Sequence, residues 1–149
     1  MYTLLDFPLE GLREDEVWSE HIEPLLEGQI PENVFWMWNY CFTELLNNAI
    51  DHSEGTSVVI GVFKPSSDAV ITLIRDNGVG IFRKIQEAFS LDDPREAILE
   101  LAKGKLTTDP ARHTGEGIFF SSRCCDDFQT HLSTLSPGIF RVNDLFQSK

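Results

Sequence analysis

Three short stretches of the chain combine residue types and spacings that can do chemistry. In FTELLNNAIDHS, residues 42–53, Glu44 and Asn48 are four apart and Asp51 is three further on, so on a helix all three share one face. A carboxylate there can orient a water, while the neutral amide oxygen of Asn48 completes a Mg²⁺ shell that keeps its phosphate and water ligands. A solvent-facing polar stripe is the bland alternative. Against it, Asn47 and Asn48 sit side by side in an otherwise apolar helix, where each costs roughly a few tenths of a kcal/mol relative to a good helix former. In IRDNGVGI, residues 74–81, a β-rich run meets Asp76 and then Gly78 and Gly80. The glycines permit positive φ and let backbone approach a ligand. A carboxylate fixed at a strand end can accept a hydrogen bond from an adenine amino group, where guanine offers a carbonyl; an ordinary hairpin turn is the alternative. In HTGEGI, residues 113–118, Gly115 and Gly117 open a predicted helix, whose first amides suit the β and γ phosphates of a nucleotide. No stretch has the spacing of a P-loop.

These residues need elements to hold them. Residues 2–9 read as an edge strand ended or bent by Pro8, and Glu14–Glu27 as an amphipathic helix with Trp18, Ile22, Leu25 and Leu26 buried, stopped by Gly28. Pro31 suits the first turn of a second helix reaching about His52, with Phe35, Trp38, Phe42, Leu45 and Ala49 on its buried stripe. Ser57–Phe63 and Ala69–Arg75, joined by KPSSD, read as an antiparallel hairpin. Helices are predicted over Ile81–Phe89, Pro94–Lys103 (capped by Gly104) and Gly117–Cys125, with KLTTDPARHTGEG before the last as a mobile lid. Phe128–Leu135 and Ile139–Phe146 close the chain as a second hairpin. Because strands and helices are segregated, the expected fold is α+β: a two-layer sandwich of a mainly antiparallel sheet with helices on one face, built as one domain over residues 1–149.

Composition narrows the partners. The net charge of −12 disfavours a nucleic-acid backbone, which requires clustered Lys and Arg. Seven of the 12 bases nevertheless lie between Arg83 and Arg123, a zone able to serve a small anion. No apolar run approaches the roughly 20 residues of a membrane span, and the N-terminus carries acid where a signal peptide carries base. Three cysteines, two of them adjacent, suit a reducing cytoplasm, and the four histidines show no metal-ligand spacing.

The ordered set ExxxN (Glu44, Asn48), DxGxG (Asp76, Gly78, Gly80) and TGxG (Thr114, Gly115, Gly117) resembles the N, G1 and G2 boxes of the GHKL, or histidine kinase-like, ATPases with the Bergerat fold. The family includes gyrase, mismatch-repair ATPases, histidine kinases and anti-sigma factor kinases. The resemblance implies that ATP and Mg²⁺ are the ligands. It makes Glu44 the carboxylate activating water or a hydroxyl, Asn48 the Mg²⁺ ligand and Asp76 the adenine reader, with Gly78, Gly80, Gly115 and Gly117 the loop glycines. Thr114 falls near the adenine-side water network, Asn47 and Asp51 stand beside the nucleotide, and Lys105, Arg112 and His113 are lid residues within reach of phosphate. Glu116 takes a place where kinases usually carry an apolar residue, and the resemblance implies a further Gly-Thr-containing strand after the last hairpin of such kinase domains. FRKIQEAF and GKLTTDPARHTGEGIFFSSRCCDDF further resemble the ATP-binding part of bacterial multi-domain regulators, where it lies between a helix-turn-helix and a STAS-like domain.

On that resemblance the expected function is a nucleotide-dependent switch: ATP binding closes the loop from Lys103 to Gly117, a regulatory protein or neighbouring module reads the changed surface, and slow hydrolysis through Glu44 to ADP resets it. The alternative is an anti-sigma-type kinase passing the γ-phosphate to Ser or Thr of a partner. A third reading, a scaffold that has lost ATP, is opposed by the joint presence of Glu44, Asn48 and Asp76. A homodimer is compatible with either active reading.

Overall fold

The computed structural model describes residues 1–93, 96, 97, 100, 117–131 and 139–141. It divides into two units, Met1–Gly78 and Val79–Lys149. Together they are a mixed α+β chain whose principal sheet is antiparallel.

In the first unit, β1 (Tyr2–Pro8), β2 (Ser57–Ser66) and β3 (Ala69–Asp76) form a three-stranded sheet in the order β1-β2-β3. Alternation sorts their side chains. Val58, Ile60 and Val62 of β2 are buried on one face, and their partners across the register are Phe7, Leu5 and Thr3 on β1 and Asp76, Ile74 and Thr72 on β3. The hairpin is longer than its sequence predicts. KPSSD is not all turn, because Lys64–Ser66 continue β2 and only Ser67 and Asp68 separate the paired Ser66 and Ala69. Pro65 cannot donate to a ladder, and the register shift between Phe63 and Ser66 takes it up.

Helices cover that face. The segment predicted as one helix is α1 (Glu14–Val17), a π turn (Trp18–Ile22) and α2 (Glu23–Leu26). Pro24 has no N–H for an α-type bond to Glu20, and the amide of Glu23 instead donates five residues back to Trp18. Gly28, at φ 69°, ends the segment. The long helix α3 (Glu32–His52) begins just after Pro31, which sits at its N-cap rather than inside the first turn. Its ring-bearing stripe meets Trp18, whose indole lies 5.4 Å from Phe35 and 5.6 Å from Phe42. Leu46, not Leu45, is the fully buried leucine. At about 100° per residue Leu46 lies close to the direction of Phe35 and Phe42, whereas Leu45 is turned to the flank.

In the second unit, α4 (Ile81–Ala88) starts from Gly80 at φ 81° and carries an Arg83–Glu87 ion pair at 2.9 Å. It closes with the amide of Leu91 on the carbonyl of Gln86, Ser90 standing in the left-handed region. α5 (Gly117–Cys124) holds Arg123 over the Phe119 ring at 3.7 Å. β4 (Gln129–His131) and β5 (Ile139–Arg141) pair antiparallel as the second hairpin. Cys41, Cys124 and Cys125 are not in disulfides. Among the described residues no helix is long and apolar enough to cross a membrane.

Candidate functional site

Two anchors lay α3 lengthwise along β3. Near its start, Trp38 Nε1 donates to Thr72 Oγ1 at 2.9 Å. At its end, Ser53 is packed against Gly78 so closely that a Cβ on Gly78 would stand 2.0 Å from the Ser53 carbonyl oxygen. Fifteen helical residues at 1.5 Å and six strand residues at about 3.3 Å both span roughly 20 Å, so the two elements run side by side over the same length. Asp76, opposite Val58 in the register, therefore lies on the helix-covered face at the end where α3 stops.

The turn after β3 is tied to the loop after α3 by a dense set of bonds. Asp76 Oδ1 accepts from the Gly78 amide at 2.9 Å, leaving Oδ2 without a protein partner among the described residues. Asn77 Oδ1 accepts from the amides of Thr56 and Ser57 at 2.8 and 3.1 Å, and its Nδ2 donates to Thr56 Oγ1 at 2.9 Å. The amide of Gly55 donates to Ser53 Oγ at 3.1 Å, and a Cβ on Gly55 would meet Asn77 Oδ1 at 2.5 Å. Ser53, Gly55 and Asn77 are thus positioning residues that the sequence reading passed over. The signal for Ser53 and Gly55 was present in the small, turn-forming run SEGTS directly after the long helix, and that for Asn77 in the turn-forming DNG at the end of β3.

Gly78 departs from its expected role. It does not adopt positive φ, and its missing Cβ is used by the backbone of Ser53 rather than by a ligand. Gly80 does require glycine, at φ 81°.

On α3, Glu44, Asn48 and Asp51 fall within an arc of about 60°, roughly opposite the stripe of Phe42, Leu46 and Ala49 that faces the sheet. All three are half-buried, as is Asn47. Among the described residues Glu44, Asn47 and Asn48 make no side-chain hydrogen bond. No described hydrogen bond links this arc to Asp76. Among the described residues no three His, Cys, Asp or Glu side chains are grouped to hold a metal ion.

Gly117 is buried as the first residue of α5, in the second unit with Gly80. The remaining sequence candidates, Lys105, Arg112, His113, Thr114 and Gly115, together with Gly104 and Glu116, lie outside the described residues. Comparisons of the chain with protein-family models, with curated proteins and with solved structures find no match in any of the three.

Proposed function

We propose that this chain is a Mg-ATP-binding regulatory domain of the GHKL type, acting as a nucleotide-dependent switch with slow hydrolysis. The observation that carries the reading is the presence, within one unit, of two sets of uncommitted polar groups at the same helix and the strand beside it. Asp76, with one carboxylate oxygen uncommitted among the described residues, is held on the helix side of the sheet against the end of the same helix that carries Glu44 and Asn48, neither of which has a side-chain partner among those residues. Half-buried polar groups left unpaired weaken a fold unless something else satisfies them. An adenine amino group at Asp76 and a hydrated cation at Asn48 have the required chemistry. Here Asp76 reads the base, the Asn77 clamp keeps it in place, Asn48 supplies one neutral oxygen to Mg²⁺, and Glu44 holds a water or hydroxyl. A Mg²⁺ held at Asn48 would take its other ligands from phosphate and water, as this cation usually does. Bound Mg-ATP would supply a transferable phosphoryl group and add further negative charge at the site.

Isothermal titration with ATP, ADP and GTP, each with and without Mg²⁺, tests the proposal. The expected result is saturable ATP and ADP binding, tighter with Mg²⁺ and much weaker for GTP. No heat from any nucleotide, or equal affinity for ATP and GTP, would overturn it.

A further inference from the structure

The sheet face turned away from α3 has no described cover and an ordered composition. Reading the register row by row, it carries Tyr2, Phe63 and Ile71, then Leu4, Gly61 and Leu73, then Asp6, Val59 and Arg75. Tyr2, Leu4, Ile71 and Leu73 are 67, 53, 54 and 41% exposed. In the centre, Gly61 lets the Phe63 ring lie flat, since a Cβ there would come within 2.7 Å of that ring. The result is a flat apolar field of a kind that marks an interaction surface. Its only charges in these rows are Asp6 on β1 and Arg75 on β3, on opposite strands of one row, and neither has an ion-pair partner among the described residues.

That arrangement is self-complementary. A two-fold axis lying in the interface along β2 sets β1 of one copy over β3 of the other, so Leu4 meets Leu73, Tyr2 meets Ile71, and Asp6 meets Arg75 twice over. Sheets packed face to face cross at about 30°, which displaces the Asp6 and Arg75 positions by about 4 Å, within reach of an arginine side chain. The face is also neutral on a chain of net charge −12, so it is where two copies approach with least repulsion. We infer that this chain self-associates through the outer face of its three-stranded sheet, as a two-fold dimer closed by two Asp6–Arg75 pairs between copies.

Three strands about 4.8 Å apart and seven residues long give a footprint on the order of 300 Å² per copy, well under the ~800 Å² of a stable dimer. The dimer is therefore weak and concentration-dependent. Sedimentation of the full chain from about 1 to 500 µM, in roughly 0.15 M salt so that net charge is screened beyond ~8 Å, measures it. The mass should rise from that of the 16.9 kDa monomer towards twice that value. Asp6→Arg and Arg75→Asp each create two like-charge contacts and should raise the dissociation constant about tenfold or more. The double exchange, Asp6→Arg with Arg75→Asp, should return it to within a few-fold of the parent, which also shows that both substitutions leave the fold intact. A chain that stays monomeric throughout, single variants that dimerise like the parent, or a double variant no better than either single one would each overturn the inference.

Discussion

Replacing Gly78 by alanine tests the contact on which the candidate site depends. The added Cβ would sit 2.0 Å from the Ser53 oxygen and 2.5 Å from its carbonyl carbon, and both are backbone atoms that cannot rotate aside. An unstrained C···O contact is about 3.3 Å, so the loop after α3 and the turn after β3 must part by more than ~1 Å. Overpacking of that kind costs about 1–3 kcal/mol, and loss of the Gly78 amide bond to Asp76 adds about 1 more, for a total of roughly 2–4 kcal/mol. Gly11→Ala is the control, because Gly11 has φ 71° but open space around it, so only the conformational penalty of ~1 kcal/mol applies. With a urea dependence of about 2 kcal/mol per molar, the unfolding midpoint should fall by about 1–2 M for Gly78→Ala and about 0.5 M for Gly11→Ala. Where Gly78→Ala remains folded, its ATP affinity should drop about tenfold or more, because displacement of the turn carries Asp76 with it. Equal midpoint shifts for the two variants would refute the steric reasoning, and unchanged ATP affinity would detach Gly78 from the site.

Asp76→Asn should weaken ATP binding by about 1–3 kcal/mol, since an acceptor for the base amino group is lost; titration calorimetry reads this, and parental affinity would exclude Asp76 as the base reader. Asn48→Ala should abolish the difference between ATP affinities measured with and without Mg²⁺, and a preserved difference would reject its role at the cation. Glu44→Ala should keep ATP affinity within a few-fold while any hydrolysis, followed as phosphate release, falls by about 10²–10⁴, because general-base help is realised in the transition state.

What the sequence determined by itself is local. The span of α3 follows from an apolar 3.6-residue repeat after Pro31, the β2–β3 hairpin from alternating β-branched residues, and the stop at Gly28 from its tolerance of positive φ. The shared face of Glu44, Asn48 and Asp51 follows from helical geometry once the helix is granted. Tertiary structure decided the rest. A spacing rule cannot say which face of a sheet Asp76 takes, because a register slip of one residue inverts it, and only the pairing of Asp76 with Val58 puts it on the side of α3. Nor does DxG distinguish a glycine that gives room to a ligand from one that gives room to Ser53, since that depends on how the end of α3 is laid against the sheet. The same holds for Leu46 over Leu45, whose burial depends on the angle at which Phe35 and Phe42 meet Trp18. Periodicity is a property of one element, whereas each of these choices is made where two elements meet.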